Sequence, residues 1–182
     1  GQLARKLNLP FRSGGALCGS KLPDAQAAYE SMNTLQAGLL GGVNFMLHSC
    51  GWLEGGLVSS FEKFVMDADQ LGILHSVAQG VDLSENGQAM EAISEVGPGG
   101  HFLGCNHTQQ NFKEAFWKSS LLDYKPFETW AEEGSNNTEI FASRRVKSLL
   151  DNYEKPALDQ SINEQLTEFI IKKKKSQPDK LY

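Results

Sequence analysis

An alternation of short apolar runs with longer helical patterns, over residues 1–118, constrains the fold of this chain more than any other feature. Runs of strand length lie near residues 10–13, 43–48 and 101–104, and each is followed by a segment with helical periodicity. This order is typical of βαβ units, whose strands pair in parallel. Three such units do not close a barrel, because an eight-stranded barrel takes about 250 residues. We therefore predict an α/β fold, either the C-terminal part of a barrel or a small open sheet.

Capping and stop signals place the first two long helices. Asp24 precedes a helical pattern over 25–40, and the glycine pair that follows ends it. The sequence Ser59-Ser-Phe-Glu62 has the spacing of a capping box, which predicts a helix over about 61–78. One face of that helix carries the apolar side chains expected to pack on the core: Phe61, Phe64, Val65, Ala68 and Leu71.

After residue 118 the sequence changes from alternating segments to helices alone. Further helices are predicted over about 85–96, 125–133, 139–153 and 158–174. Thr108 is expected to cap one more. We therefore divide the chain into residues 1–118, which hold the strands, and a helical extension over 119–182 that packs on them. The packing surface of its last helix is an apolar stripe: Leu158, Ile162, Leu166 and Ile170.

Composition and charge argue against several classes of protein. A net charge of −5 at pH 7 disfavours nucleic acid as a partner, because phosphate binding needs a basic face. No apolar stretch approaches the roughly 20 residues of a membrane span, so no membrane association is expected. Three widely spaced cysteines, in no C-x-x-C pattern, favour a reducing cytoplasm. The first residue is Gly1 rather than Met, and we expect the chain to be part of a longer protein.

The segment after the second predicted strand has the composition of a functional site. The apolar run ends in His48 and Cys50 and opens into a glycine-rich turn that carries Trp52 and Glu54. In α/β enzymes the chemistry lies where strands end and loops lead into helices. We therefore predict a site in this loop.

Several stretches, in order over nearly the whole chain, carry a family resemblance. They are Asp24-x-Gln26-Ala-Ala-Tyr-Glu30, Leu53-Glu54-x-Gly56-Leu, Ser60-Phe-Glu62-Lys, Glu95-Val-Gly-Pro-Gly-Gly-His101-Phe-Leu-Gly104, His107-Thr108, Trp130-x-x-x-Gly134 and Leu150-x-x-Tyr153. Together they resemble the C-terminal portion of the trimethylamine methyltransferase family. The resemblance implies a (β/α)8 barrel of the TIM type, of which this chain holds the C-terminal strands and helices. It also implies methyl transfer from a small amine to the cobalt of a cobalamin-type corrinoid, carried by a separate corrinoid protein.

The resemblance also bears on the methyl donor. Members of the family that act on trimethylamine need pyrrolysine, and this sequence shows none. Displacement of a methyl group requires the amine to leave in neutral form, which a quaternary ammonium does and a neutral tertiary amine does not. A betaine-like quaternary amine is therefore the favoured donor.

Four residues are candidates for that chemistry. Trp52 and Glu54 supply an aromatic face and a carboxylate, the two groups that hold a quaternary ammonium. His48, at the end of the strand, is expected to orient the donor or to act at the cobalt ligation as the corrinoid docks, and Glu54 shares the catalytic role. His101 is expected to line the mouth of the site. The structural alternatives are a Trp52 that caps the rim, a Glu54 that caps a helix and a His48 that is a satisfied core residue.

Two other functions remain open from the sequence. His48, Cys50 and Cys105 resemble the zinc ligands of corrinoid methyltransferases with a uroporphyrinogen-decarboxylase-like barrel, in which zinc activates a thiol. A non-catalytic betaine-binding domain would use the same aromatic and carboxylate groups without a corrinoid partner. The favoured interpretation expects no metal bound by the chain itself, and a homo-oligomer is compatible with it.

Overall fold

A computed structural model describes residues 1–177 as a mixed α/β, mostly helical fold with two small sheets. The helices are α1 (Gln2–Lys6), α2 (Ala25–Leu40), α3 (Phe61–Gln79), α4 (Glu85–Gln88), α5 (Met90–Val96), α6 (Asn106–Asn111), α7 (Phe127–Glu132), α8 (Thr138–Asp151) and α9 (Gln160–Ser176). The strands are β1 (Arg12–Gly14), β2 (Phe45–Leu47), β3 (Trp52–Leu53) and β4 (Val58–Ser59). Over the described part of the chain, every helix is too short or too polar to cross a membrane.

The first βαβ unit forms as predicted. β1 and β2 pair in parallel, with Arg12 opposite Phe45 and Gly14 opposite Leu47, and α2 connects them. The α2 helix begins where the sequence indicates, because the Asp24 carboxylate accepts a hydrogen bond from the Ala27 N–H at 3.0 Å. The predicted α/β class and the parallel strands near 10–13 and 43–48 are therefore confirmed.

The core lies between α2, α3 and the loops that follow the strands. One buried cluster contains Ala16, Leu35 and Leu74, with Met32, Leu39, Met46 and Leu71 packed against it. A second buried cluster joins Cys18, Ala27 and Leu53. The loops after β1 and β2 are thus part of the packed interior at one end of the sheet.

A short hairpin that the sequence did not indicate leads into α3. β3 and β4 pair antiparallel, with Trp52 opposite Ser59, and a 3-10 turn at Glu54–Gly56 joins them. The N-cap of α3 is Ser60 rather than Ser59, because the Ser60 hydroxyl oxygen accepts from the Lys63 N–H at 3.2 Å. The same hydroxyl donates to the Glu62 carboxylate at 3.0 Å. The helix therefore starts at the predicted residue, but without the predicted capping box, because the Ser60 N–H donates to the Gly51 carbonyl.

The third predicted strand, at 101–104, is wrong. His101 leads into a single 3-10 turn, Phe102–Gly104, and within residues 1–177 the parallel sheet consists of β1 and β2 alone. A strand requires a neighbour for its backbone N–H and C=O groups. Gly97 and Gly99, with φ of 67° and 77°, turn the chain just before this segment.

Three smaller predictions also need correction. The helix predicted over 85–96 divides into α4 and α5 at Ala89, whose φ is 51°. Thr108 is not a cap, because α6 begins two residues earlier with Cys105 as its N-cap. The predicted packing face of α3 is right at Leu71, which packs on the core, and wrong at Phe61 and Phe64, which are 66% and 54% exposed. The buried side chains of that helix are Lys63, Asp67 and Leu74.

The described residues fall into two compact units, of which the first is Gly1–Ser148 and the second begins at Leu149. α7, α8 and α9 lie close to their predicted positions. In the second unit, α9 carries Ile162, Leu166 and Ile170 of the predicted apolar stripe, and Leu158 lies just before its N-cap. The four side chains are 48% to 50% exposed. The packing of the extension 119–182 on the strands stays a prediction, and its residues 178–182 lie outside the described part of the chain.

Candidate functional site

The loop from His48 to Gly56, here called the 48–56 loop, follows β2 and has an unusual backbone. His48 and Glu54 adopt positive φ of 54° and 49°, and three glycines of the loop do the same. A non-glycine residue pays roughly 1–2 kcal/mol in this left-handed region. Such conformations persist only where the surroundings impose them, and they concentrate at functional sites. The two residues predicted to be catalytic are therefore both held in strained backbone.

The loop after β1, Ala16–Ser20, fixes the 48–56 loop from one side. The Ala16 N–H donates to the carbonyl oxygen of His48 at 2.9 Å. The Glu54 N–H donates to the carbonyl of Ser20 at 2.8 Å, and the Gly55 N–H to that of Cys18 at 2.7 Å. The thiol of Cys18 donates to the carbonyl of Trp52 at 3.3 Å. These bonds hold the loop at both ends and in its middle.

Gly51, at the centre of the loop, is buried and bonded through both of its backbone groups. Its N–H donates to the Asp67 carboxylate at 2.9 Å, and its carbonyl accepts from the Ser60 N–H at 3.1 Å. Its φ of 84° and the closeness of Phe64, 3.2 Å from the place of a Cβ, leave room only for glycine.

The side chains of His48 and Trp52 meet in a ring contact. Their centroids are 5.4 Å apart and the planes are inclined at 82°, an edge-to-face arrangement. Leu53 is 2% exposed and packs with Cys18 and Ala27. Its neighbours are Trp52, whose side chain the strand turns away from that cluster, and Glu54, which begins the 3-10 turn at positive φ. Both are half-buried and His48 is exposed. An aromatic pair and a carboxylate thus project from one rigid loop.

The structure brings together three of the four predicted site residues. His48, Trp52 and Glu54 share the 48–56 loop. His101 is exposed and precedes the 3-10 turn Phe102–Gly104, and in the described residues no hydrogen bond or ring contact joins it to that loop. The catalytic and binding roles of the four residues stay predictions.

The three residues proposed as zinc ligands, His48, Cys50 and Cys105, do not form a metal site in the described structure. Burial, followed by the negative charge of Asp67, raises the pKa of the half-buried Cys50 thiol to about 11. Cys105 lies at the start of α6, where its sulfur is 3.3 Å from the hydroxyl of Thr108, a hydrogen bond that lowers the pKa of this thiol. Within residues 1–177, no three His, Cys, Asp or Glu side chains come close enough to hold a metal ion. The described geometry therefore gives this alternative no ligand set.

A buried ion pair beneath the loop escaped the sequence analysis. The Lys63 ammonium lies 2.6 Å and 2.5 Å from the two carboxylate oxygens of Asp67, and the residues are 2% and 5% exposed. Lys and Asp four residues apart on a helix are typical of a solvated surface. The sequence carries one sign of this burial: at helical periodicity, both residues fall on the same face of α3 as the buried Leu74.

Comparisons with known proteins find relatives over nearly the whole length of the chain. The sequence profile of the trimethylamine methyltransferase family, MTTB, matches residues 1–178. The chain is 45% identical over 174 residues to the glycine betaine methyltransferase of Desulfitobacterium hafniense strain Y51. The aligned region covers 96% of the chain and 36% of that relative. It is 31% identical over 175 residues to the trimethylamine methyltransferase MttB of Methanosarcina barkeri, covering 96% of the chain and 35% of the relative.

The chain therefore spans about a third of the length of the curated relatives that it matches. The family profile, by contrast, matches nearly all the residues of this chain. This chain belongs to the trimethylamine methyltransferase family.

Proposed function

We propose that this chain supplies the donor-binding loop of a methyltransferase that moves a methyl group from a betaine-like quaternary amine to the cobalt of a separate corrinoid protein. In this proposal, residues 1–118 are C-terminal strands and helices of a (β/α)8 barrel, and residues 119–182 are a helical extension packed on it. The observation that carries the proposal is the 48–56 loop, which presents a tryptophan, a histidine and a carboxylate from a fixed backbone. The identity of 45% to a relative named for glycine betaine supports the choice of donor.

The chemistry of the donor fits the groups in the loop. A quaternary ammonium has no N–H, so hydrogen-bond acceptors cannot hold it, and recognition depends on aromatic faces and nearby negative charge. The Trp52 ring offers such a face, because its edge-to-face contact with His48 leaves it half-buried rather than enclosed. The carboxylate of Glu54, two residues further along the same loop, supplies the charge.

The reaction places few demands on the proton chemistry of the site. The bond between the methyl carbon and nitrogen breaks, both electrons stay on nitrogen, and a neutral tertiary amine leaves without a proton transfer. Because the positive charge is lost in this step, the attraction to Trp52 and Glu54 weakens and the product departs. We assign to His48 the task of orienting the donor, for which its exposed position at the end of β2 is suitable.

The surface of the loop suits a reaction centre that arrives on another protein. A reduced corrinoid would supply the cobalt nucleophile. His48 is exposed, and a Cβ at Gly55 would meet no atom within 4 Å. The tip of the loop is therefore accessible to a docking partner.

Donor selectivity tests the proposal. The complete protein, mixed with its corrinoid protein reduced to Co(I), should change the cobalt absorbance with glycine betaine and hardly at all with trimethylamine. Turnover of trimethylamine with no response to betaines would contradict the proposal. Betaine binding without any cobalt methylation would instead favour the non-catalytic binding domain.

Trp52 provides the residue-level test of the binding site. A desolvated cation–π contact contributes about 2 kcal/mol, so Trp52→Ala should weaken donor binding roughly thirtyfold. The matched variant Trp52→Phe keeps an aromatic face and should lose much less. Calorimetric titration of the donor measures both, and equal affinities in the two variants would count against an aromatic site. His48→Ala should lower turnover more than donor affinity.

A further inference from the structure

The Lys63–Asp67 pair places two charged side chains in a core whose other buried side chains, within the described residues, are apolar apart from Ser20 and Ser31. Lys63, Asp67 and Ser31 are each no more than 5% exposed. The Lys63 ammonium donates to both Asp67 oxygens and, at 2.8 Å, to the Ser31 hydroxyl. All the buried side-chain nitrogen and oxygen atoms in the described residues have partners. The network is therefore complete.

A contribution to stability does not by itself explain why the core contains a buried ion pair. Removing two charges from water is costly, and well-packed apolar residues in place of a buried ion pair are often neutral or stabilising. The contacts that the pair makes outside α3 are more informative, because they lead to the 48–56 loop.

Two chains of hydrogen bonds run from the pair to the two aromatic residues of the site. In the first, Asp67 accepts from the N–H of Gly51, the residue before Trp52, at 2.9 Å. A bond to a charged acceptor is shorter and stronger than a neutral one.

The second chain reaches His48. The Lys63 ammonium bonds to Ser31, whose hydroxyl donates to the Ala16 carbonyl at 3.2 Å. The Ala16 N–H in turn donates to the carbonyl of His48 at 2.9 Å. Lys63 also lies 3.4 Å from the Ala16 carbonyl directly, so it fixes the segment that holds His48.

We infer that Lys63 and Asp67 are positioning residues that set the His48–Trp52 ring arrangement through the Ala16 and Gly51 peptides. Neither residue touches the donor in this scheme. The inference rests on the proposed function for its consequence in catalysis, but the ring arrangement itself can be measured without any donor.

The test replaces the pair in the complete protein by apolar residues, as Lys63→Met with Asp67→Leu, so that no unpaired charge is left in the core. Fluorotryptophan labelling and ¹⁹F NMR report the environment of Trp52, whose resonance is identified by its loss in Trp52→Phe. We expect that resonance to shift or broaden, and that of Trp130 to stay in place. We also expect the donor KM to rise and kcat to fall, with kcat/KM reduced on the order of tenfold.

An exposed ion pair of the same type serves as the matched control. Lys125 and Glu133 form a salt bridge with nearly half of each side chain exposed. Lys125→Met with Glu133→Gln should leave both the Trp52 resonance and the kinetics unchanged.

The two readouts separate the inference from the proposed function. A folded double variant with an unchanged Trp52 resonance would overturn the inference, whatever its activity. A moved resonance with unchanged donor kinetics would support the positioning role and contradict the donor site. If the double variant does not fold, Ser31→Ala removes the hydroxyl that links Lys63 to the Ala16 carbonyl and leaves the ion pair in place, and the same shift of the Trp52 resonance is expected from it. An unmoved resonance there would likewise overturn the inference.

Discussion

At the scale of single residues, the backbone of His48 links the local strain to the proposed site. Its φ of 54° lies in the region that glycine adopts without cost. His48→Gly and His48→Ala both remove the imidazole, but only glycine relieves the strain. We expect the glycine variant to be more stable than the alanine variant by about 1 kcal/mol, measured by urea unfolding of the complete protein.

An exposed helix position provides the control for this comparison. Gln36 lies on the exposed side of α2, in regular helix. There the order should reverse, with Gln36→Ala more stable than Gln36→Gly by roughly 1 kcal/mol. If the glycine variant were the less stable one at both positions, the strain at His48 would not be real.

Single residues also show what the sequence could and could not predict about the site. His48, Trp52 and Glu54 could be found because a strand end followed by a glycine-rich turn is a local signal. The Lys63–Asp67 pair could not. Its burial depends on Ser31 and Gly51, which are 32 and 16 residues away along the chain from their bonded partners. No local pattern reports such contacts.

At the scale of elements, the same distinction separates the confirmed helices from the failed strand. α2 begins and ends at its predicted residues because Asp24 and the glycines after Leu40 are local signals. A strand at 101–104 needed a neighbour, and the sequence of the strand itself does not say whether one is present. The β3–β4 hairpin was missed for a related reason, since each strand has only two residues and shows no alternation.

The N-cap of α3 gives an element-scale prediction with its own control. Ser60 accepts from the Lys63 N–H, so Ser60→Ala should destabilise the protein by about 1 kcal/mol. Ser59, the position that the sequence pattern favoured, lies exposed in β4, and Ser59→Ala should change stability by less than about 0.5 kcal/mol. Chemical denaturation measures both. Equal effects of the two substitutions would place the cap elsewhere.

At the scale of the whole molecule, the carboxylates determine how stability responds to acid. Hydrogen bonds from N–H or hydroxyl groups lower the pKa of five of them in the described residues: Asp24, Glu30, Glu62, Asp82 and Asp159. Burial acts in the opposite direction on Asp67, whose pKa is raised despite the Lys63 ammonium and the Gly51 N–H. Carboxylates with a lowered pKa therefore outnumber the one with a raised pKa, and they lie along most of the chain.

The sign of the acid response follows from these shifts. A carboxylate whose pKa is lower in the folded state binds fewer protons there than in the unfolded state, so its contribution is present above its ordinary value and lost as the pH falls through the folded value. Asp67 opposes this trend as a single group. We therefore expect the free energy of unfolding to decrease as the pH falls below about 4, measured by urea unfolding at several pH values. Asp24→Asn keeps an oxygen acceptor for the Ala27 N–H but does not titrate, so its curve should fall less steeply. Stability that stayed constant or rose in acid, or an Asp24→Asn curve parallel to that of the unsubstituted protein, would contradict this account of the capping carboxylates.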